Sequence, residues 1–215
     1  MNIQRVYDLL IRGFRGRRMK RFVETFQPTT DTTVLDVGGT PYNWERIDAS
    51  FPITLLNTVP LDTDGLDARY TLVQGSGTQL DFPDRSFDIT FSNSVIEHVG
   101  SLDAQRTLAK ELRRVGRQVW VQTPARSFFF EPHFLTPFIH FLPLPWQRRL
   151  ARNFTVWGWI TRPSRAAVDR LLGELRLLDY ATFRELFSDC EIRRERFFGF
   201  TKAFVAVRIE TPSIE

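Results

Sequence analysis

The chain has 215 residues, 42% hydrophobic and 25% charged, and its 29 Lys and Arg against 25 Asp and Glu give a net charge of +4. A chain of this length buries roughly 70% of its unfolded surface, which fits one domain or one domain with an insertion. The single cysteine, Cys190, excludes an intrachain disulfide and predicts a cytoplasmic protein. No run reaches the ~20 apolar residues of a membrane span, and we expect no signal peptide.

Apolar residues recur near helical spacing between residues 3 and 26, so the pattern predicts an N-terminal helix within residues 1–28. Its other face carries arginines, and Pro28 ends it. Runs of β-branched and aromatic residues then predict four strands, at residues 33–37, 53–58, 70–74 and 87–92. We expect a short helix, capped by Asn43 and extending to Phe51, after the first strand, and an amphipathic helix over residues 103–115 after the fourth.

The second half of the chain predicts a fifth strand at residues 117–123 and a closing pair at 191–197 and 202–209. A helix that Asp179 caps precedes this pair. Strands that alternate with helices predict βαβ units, and therefore an α/β fold with a mostly parallel sheet. Residues 125–178 break the alternation. They contain many Phe, Trp, Pro and Arg residues and then a predicted helix over 164–178. We predict a lid inserted into a single domain that spans residues 1–215.

Two segments have the pattern of a ligand site. In residues 33–41, Thr-Val-Leu-Asp-Val-Gly-Gly-Thr-Pro, a strand ends in an acid and two glycines, which let a ligand approach the backbone. In residues 82–98, a buried strand ends in polar residues that open a helix. The two segments, in this order, resemble the class I S-adenosylmethionine-dependent methyltransferases, in particular the type-11 methyltransferase domain. The resemblance implies a Rossmann-like seven-stranded sheet with an antiparallel last strand, helices on both faces and S-adenosylmethionine as cofactor.

The resemblance also implies a cofactor site at the carboxyl ends of the first four strands, where ligands of open α/β sheets bind. Its predicted residues are Asp36, Gly38, Gly39, Thr40, Asn57, Ser76, Gly77, Asn93 and Ser94. Thr40 stands where the family has a glycine. Asn57 stands where the family has an acid that binds the ribose hydroxyls, and Ser76 stands where it often has an acid near the adenine amine. Because a neutral hydrogen bond is weaker than a charged one, we expect the cofactor to bind about tenfold more weakly to Asn57 than it would to the family's acid at this position. Asn57 and Ser76 are equally interpretable as turn residues.

Two pairs of neighbouring residues are candidates for catalysis. Glu97-His98 resembles a common family pair and borders the predicted methyl-transfer site, whereas Glu131-Pro132-His133 follows the fifth strand and resembles a bacterial subgroup of these enzymes. We predict that His133 is the general base, with Glu131 orienting it and His98 beside it. Alternatively, these groups are satisfied structural polar residues. One distant cysteine and scattered histidines lack metal-ligand spacing, so no metal is predicted.

The aromatic residues of the insertion have three interpretations: the core of the lid, an apolar acceptor pocket, or a face that contacts lipid. Arg148, Arg149 and Arg152 lie beside Trp146, a mixture typical of a membrane surface. The same mixture stacks on RNA bases, but no RNA-binding motif accompanies it, so nucleic acid is the less favoured partner. The expected partners are a small or lipid-linked acceptor and, peripherally, a membrane. The sequence does not indicate an oligomeric state.

The predicted function is S-adenosylmethionine-dependent methyl transfer to such an acceptor, at an oxygen atom. A rival hypothesis is a catalytically weak or inactive binding protein that keeps the fold, because Thr40, Asn57 and Ser76 replace family residues. A second rival is a dinucleotide-dependent enzyme. The lack of a G-x-G-x-x-G pattern after the first strand disfavours it.

Overall fold

The computed structural model describes the backbone of residues 3–62 and 65–210, with side chains from residue 15 onward in these ranges. Residues 1, 2 and 211–215 of the predicted single domain lie outside the described residues. The strands of the described part are β1 (Val34–Val37), β2 (Ile53–Asn57), β3 (Tyr70–Gln74), β4 (Phe87–Asn93), β5 (Gly116–Pro124), β6 (Phe130–Glu131), β7 (Thr136–Pro137), β8 (Glu191–Phe197) and β9 (Phe200–Arg208). The α-helices are α1 (Ile3–Phe26), α2 (Pro41–Trp44), α3 (Leu102–Val115), α4 (Leu144–Ala151), α5 (Val156–Thr161), α6 (Arg165–Glu174) and α7 (Tyr180–Leu186).

Seven strands form the main sheet, in the order β3-β2-β1-β4-β5-β9-β8. Strands β1 to β5 are parallel, and β9 runs antiparallel between β5 and β8. The predicted mostly parallel, Rossmann-like sheet with an antiparallel last strand is therefore confirmed. The strand order reverses between β1 and β4, so the carboxyl ends of these neighbours border the crevice in which open α/β sheets bind ligands.

Both faces of the sheet are covered by helices, as predicted. On one face α1 and α2 contribute Phe22 and Trp44, and the Phe22 ring meets Trp44, Phe91 and Trp120 edge-on at 5.4–5.8 Å between centroids. On the other face α3 and α7 pack over β5 and β9. Consecutive residues of β5 bury apolar side chains on opposite faces, which is why this strand is an apolar run without polar alternation.

Asp88 lies at the amino end of β4, on the edge of the sheet away from the crevice. Its Oδ2 accepts hydrogen bonds from the Thr33 backbone N–H at 2.9 Å and from the Thr33 hydroxyl at 2.8 Å. The acid therefore joins the starts of β1 and β4. Among the described residues, every helix is too short or too polar to span a bilayer.

Two predicted helices have the wrong bounds. The helix after β1 does not run from an Asn43 cap to Phe51: α2 is a single turn that begins at Pro41 after Thr40 and ends at Trp44. Pro41 suits the first helical position because its fixed φ matches the helix and its missing N–H needs no partner there. The predicted helix over 164–178 ends at Glu174, since Leu178 pairs with Ala125 in a parallel bridge instead.

The inserted residues 125–178 have a small core of their own. Phe134, Ile139, Ala151 and Val168 are buried together, and Phe134 meets Trp157 edge-on at 5.6 Å. The cap predicted at Ser164 is confirmed: its hydroxyl accepts from the Ala167 N–H at 3.1 Å. The lid interpretation of the buried aromatics is therefore right for this inner layer, whereas other aromatics of the insertion are exposed.

Candidate active site

The turn after β1 has no room for side chains. Gly38 has φ +76°, and a Cβ there would lie 2.5 Å from Cγ2 of Val95, which follows β4. A Cβ on Gly39 would lie 1.8 Å from Oδ2 of Asp36. The Gly38 N–H donates to the Leu56 carbonyl of β2 at 2.7 Å. The turn therefore lies across the ends of β1, β2 and β4, with Gly38 exposed and Gly39 buried against Asp36.

Asp36 lies beneath this turn. Its side chain is fully buried, and Oδ2 accepts from the Trp44 indole N–H at 2.8 Å. Among the described residues Oδ1 has no hydrogen-bond partner. Burial raises the pKa of Asp36 to about 7, against the lowering effect of the Trp44 bond. The acid therefore supports the turn from below and leaves one buried oxygen without compensation.

Asn57 is tied to the same turn. Its Nδ2 donates to the Gly39 carbonyl at 2.7 Å, and only the nitrogen end of the amide can make this bond. The side chain thus fixes the turn from the end of β2, and its Oδ1 is the remaining acceptor. This contact fits the turn-residue interpretation, and contact with a ribose stays a prediction.

The Asn57→Asp variant tests this placement. A carboxylate cannot donate to the Gly39 carbonyl and is repelled by it, so we expect cofactor affinity to fall about tenfold instead of rising. Calorimetric titration with S-adenosylhomocysteine measures the effect, and Asn57→Ala, which loses the bond without adding charge, is the matched control. Binding tighter than wild type in Asn57→Asp alone would show that the side chain faces the ribose.

Ser76 and Gly77 follow β3. Ser76 is exposed, and its hydroxyl lies 2.8 Å from the Thr78 hydroxyl and accepts from the Thr78 N–H at 3.3 Å. A Cβ on Gly77 would lie 2.7 Å from Val37 and 2.8 Å from Leu108, so this glycine lets the turn pack against β1 and α3. Both residues serve the turn, and the Ser76 contact with adenine stays a prediction.

Asn93 and Ser94 end β4. Asn93 Oδ1 accepts from Arg18 Nη1 of α1 at 2.5 Å, and Arg18 also pairs with Glu195 of β8 through two bonds of 2.8 and 2.6 Å. Burial would raise the pKa of Glu195, but Arg18 holds it below its ordinary value. Ser94, with φ +58°, donates its N–H to the carbonyl of Gln122 and its hydroxyl to the Gln122 side chain, both at 3.0 Å. The contact of Arg18 with β4 was not predicted, because no local sequence pattern links a residue of α1 to Asn93, 75 residues away.

A cavity of ≈ 300 Å³ opens beside Ser94 at the carboxyl end of β5. Its walls are mainly apolar, and four of the lining residues are aromatic: Phe128, Phe129, Phe130 and Phe197. The polar lining consists of Arg15, Arg18, Ser94, Gln122 and Lys202. Burial, together with the positive charge of Arg18, lowers the pKa of Lys202 to about 8. The cavity thus combines an apolar interior with a cationic wall. It supports the acceptor-pocket interpretation for part of the insertion.

A buried cluster of two acids and two imidazoles lies at the same end of β5. Glu131 Oε1 accepts from the His133 backbone N–H at 2.9 Å and lies 2.5 Å from His133 Nδ1. The His98 ring stands perpendicular to the His133 ring, with 4.6 Å between centroids. Glu97 Oε2 accepts from the Thr123 hydroxyl at 2.9 Å, whereas its Oε1 has no partner among the described residues.

Of the two imidazoles in the cluster, His133 is the one on which a positive charge is more favourable. Burial raises the pKa of Glu97 to about 7, and burial together with the neighbouring His133 lowers the pKa of His98 to about 4. Burial would also lower the pKa of His133, but the bond to Glu131 and the charges of Glu131 and Glu97 raise it above its ordinary value. His133 is therefore the imidazole that holds a proton most readily, and His98 is neutral.

The fold brings together residues that the sequence left apart. One ligand atom from each of Glu97, His98 and His133 lies within 4.8 Å of the others, so the three side chains are close enough to share one cation. The spacing of these three residues along the chain does not reveal that their side chains lie close together. Pro132 lines the cavity, and the next residue, His133, belongs to the cluster. The predicted trio His98, Glu131 and His133 is thus one site, although their catalytic roles stay predictions.

Residues 36–118 match the family model described as a methyltransferase domain. These residues span the turn after β1, the ends of β2 to β4 and the Glu97-His98 pair. The match covers 83 of the 215 residues and, together with the seven-stranded sheet, it gives this part of the chain the domain and fold of the class I S-adenosylmethionine-dependent methyltransferases, whose cofactor is S-adenosylmethionine. No curated protein sequence matches the chain significantly.

Solved structures share the fold at low sequence identity. Magnesium protoporphyrin IX methyltransferase of Synechocystis PCC 6803, with bound SAH, aligns over 97% of this chain and 89% of its own, with 9% identity and TM-score 0.58. The YcgJ protein of Bacillus subtilis aligns over 83% and 70%, with 14% identity and TM-score 0.52. A SAM-dependent methyltransferase of Methanosarcina mazei aligns over 86% and 95%, with 12% identity and TM-score 0.50. At these identities the likeness establishes the fold alone.

Proposed function

We propose that the protein transfers the methyl group of S-adenosylmethionine to an oxygen of a small or lipid-linked acceptor. The observation that carries the choice of oxygen is the partly buried contact between the His133 imidazole and the Glu131 carboxylate. A hydroxyl acceptor must lose its proton during transfer, and an imidazole oriented by a carboxylate is suited to take it. S-adenosylmethionine supplies an electrophilic methyl group when bound. The remaining tasks fall to the chain's own residues.

The turn after β1 fits the cofactor. Gly38 is exposed and presents bare backbone where any Cβ would collide, Gly39 packs on Asp36 below it, and the ionised form of Asp36 adds negative potential beneath the turn. That potential favours the ammonium group of the methionine part of the cofactor. Thr40 follows the glycines, and Asn57, Ser76 and Gly77 extend the site along β2 and β3. Asn93 and Ser94 close it next to the cavity.

His133 would act as the base. With Nδ1–H donated to Glu131, the lone pair of Nε2 is the proton acceptor. Glu131 is fully buried and stabilises the imidazolium that results. His98 stays neutral and packs its ring against His133, so we assign it a positioning role beside the base. The positive charge of the cluster forms on His133 when it takes the proton, and the proposed mechanism uses no metal.

The cavity supports this class of acceptor. Apolar walls with four Phe side chains favour an apolar or amphiphilic molecule, and Arg15 and Lys202 favour an acidic group on it. A volume of ≈ 300 Å³ accommodates a small molecule or the reactive end of a longer one. A lipid-linked acceptor matches both properties, because its apolar part can continue out of the cavity.

Calorimetric titration with S-adenosylmethionine and S-adenosylhomocysteine tests the cofactor site first. We expect micromolar affinity. If the side chain at position 57 faces the cofactor, this affinity is lower than an acidic residue there would give, because Asn57 offers a neutral contact. Labelled methyl transfer into a lipid extract then tests turnover. Folded protein that binds neither compound at millimolar concentration would refute the proposed function.

The second candidate is a catalytically weak or inactive binding protein with the same fold. The observation in its favour is that the amide of Asn57 bonds to the Gly39 carbonyl and the hydroxyl of Ser76 to Thr78, so neither position offers a charge to the cofactor. Binding of S-adenosylhomocysteine without methyl transfer to lipid or small-molecule extracts would favour this candidate.

A further inference from the structure

The turn between β8 and β9 exposes aromatic side chains. Phe198 is 85% exposed and Phe200 is 56% exposed, and both lie at the tip of the hairpin. Arg196 and Lys202 lie close to this turn on β8 and β9. Isolated exposed apolar residues need no explanation, but contiguous ones mark interaction surfaces. This tip lies beyond the carboxyl end of β5, because Ala203 pairs with Pro124. It is therefore on the same edge of the sheet as the cavity.

The backbone at the tip is strained for the residue that occupies it. Phe198 has φ +45° and Gly199 φ +82°, so both central residues of this two-residue turn are left-handed. Such turns favour Asn or Asp before Gly, and a bulky residue in the left-handed region is a genuine outlier. Phe198 therefore lowers the stability of the turn while burying little of its ring. A contact outside the chain would explain its presence.

The lid contributes a second exposed segment. Residues 141–146, Phe-Leu-Pro-Leu-Pro-Trp, are all apolar and all exposed, and Phe138 just before them is 60% exposed. The ring of Phe129 lies 6.1 Å from that of Phe138 and 5.5 Å from that of Phe200, so it joins the two segments. We refer to the exposed residues as the aromatic face: Phe138, Phe141, Leu142, Leu144, Trp146, Phe198 and Phe200.

The aromatic face lies next to the cavity and is accompanied by positive charge. Phe129, which links its two parts, also lines the cavity, as does Phe197 next to Phe198. Exposed arginines lie beside both parts: Arg196 at the hairpin, and Arg148 and Arg149 shortly after Trp146. Arg148 pairs with Asp169 in the lid, and that pair is half exposed. This arrangement suits the surface of an anionic bilayer. Aromatic side chains suit the boundary between headgroups and acyl chains, and the flanking cations suit the anionic headgroups.

We propose that the aromatic face docks on an anionic phospholipid bilayer. Phe198, Phe200 and Trp146 enter the boundary between headgroups and acyl chains, and Arg149 and Arg196 contact lipid phosphates. Docking in this orientation turns the mouth of the cavity toward the bilayer, so a lipid-linked acceptor reaches the cavity without crossing water. The docking is inferred from the exposed residues alone. Its purpose, access of a lipid-linked acceptor to the cavity, rests on the proposed methyl transfer.

Co-sedimentation with vesicles tests the docking. Wild-type protein should bind vesicles of phosphatidylcholine mixed with phosphatidylglycerol, bind phosphatidylcholine alone weakly, and dissociate as salt is raised. Phe198→Asn should lower the partition about tenfold. Asn also suits the left-handed turn, so the variant should melt at the same temperature as wild type or higher. Lost binding therefore cannot be attributed to unfolding.

Ile209→Asn is the matched control. Ile209 is 49% exposed but follows the end of β9 at the opposite edge of the sheet, so its replacement should leave vesicle binding unchanged. Equal binding by Phe198→Asn and wild type would overturn the proposal, as would equal binding to neutral and anionic vesicles. Self-association through the face, detected by light scattering without vesicle binding, would also overturn it. Vesicle binding by protein that fails to bind S-adenosylhomocysteine would keep the docking and reject the methyl transfer.

Discussion

Replacement of His133 by alanine should lower the rate of methyl transfer about 10²–10⁴-fold, the usual contribution of a general base. Affinity for S-adenosylhomocysteine should stay at the wild-type value, because His133 lies in the cluster beyond β5 and not at the turn after β1. The measurement compares labelled methyl transfer into a lipid extract with calorimetric binding. His140→Ala is the matched control: this histidine also lies in the lid, where it bonds the Arg126 carbonyl at 3.0 Å.

Glu131→Gln refines the same prediction through its pH dependence. The carboxylate of Glu131 raises the pKa of His133, and the base acts only when it is unprotonated. Removal of the charge lowers that pKa, so the rising limb of the rate profile should move to lower pH. A residue that merely supports the lid would lose rate without this shift. A wild-type rate in His133→Ala, with a fully active His140→Ala beside it, would remove His133 as the base.

The parts of the fold that could be predicted depend on local sequence patterns. The β-type runs indicated strands whose bounds differ from the observed ones by at most two residues, since buried parallel strands are short apolar runs with clear ends. Asp179 and Ser164 were correctly predicted as caps because a cap acts within three residues of itself. The glycine turn was visible for the same reason. Its backbone conformation depends on residues that are adjacent in the chain.

The parts that could not be predicted depend on contacts between distant segments. Arg18 of α1 joins Asn93 of β4 and Glu195 of β8, and no local pattern links these three elements. The amide of Asn57 is directed at Gly39 because β2 lies next to β1, a pairing that sequence reasoning supplies only as topology. Likewise, Glu97 meets His133 only when the lid folds back on the end of β4. The aromatic residues of the lid divide into a buried core and an exposed face by tertiary packing, so composition alone could not separate the two groups.

Replacement of Gly39 by alanine should weaken the binding of S-adenosylhomocysteine at least about tenfold, since a displaced turn loses hydrogen bonds that each contribute about 0.5–1.5 kcal/mol. The new Cβ would lie 1.8 Å from Oδ2 of Asp36. Asp36 cannot yield easily, because it is buried and holds the Trp44 indole at 2.8 Å. The turn itself must therefore move, and with it the Gly39 carbonyl that Asn57 anchors. Calorimetric titration measures the affinity, and urea unfolding measures the accompanying loss of stability.

Gly173→Ala is the matched control. Gly173 lies in α6, and a methyl group added there would have no atom within 4 Å, so alanine should raise helix stability by up to about 1 kcal/mol and leave binding unchanged. The double variant Asp36→Ala with Gly39→Ala identifies the cause. If the collision with the carboxylate is responsible, Gly39→Ala should cost less stability when Asp36 is already alanine. Equal costs in both backgrounds would place the strain elsewhere in the turn. Unchanged cofactor affinity in Gly39→Ala would move the cofactor away from the end of β1.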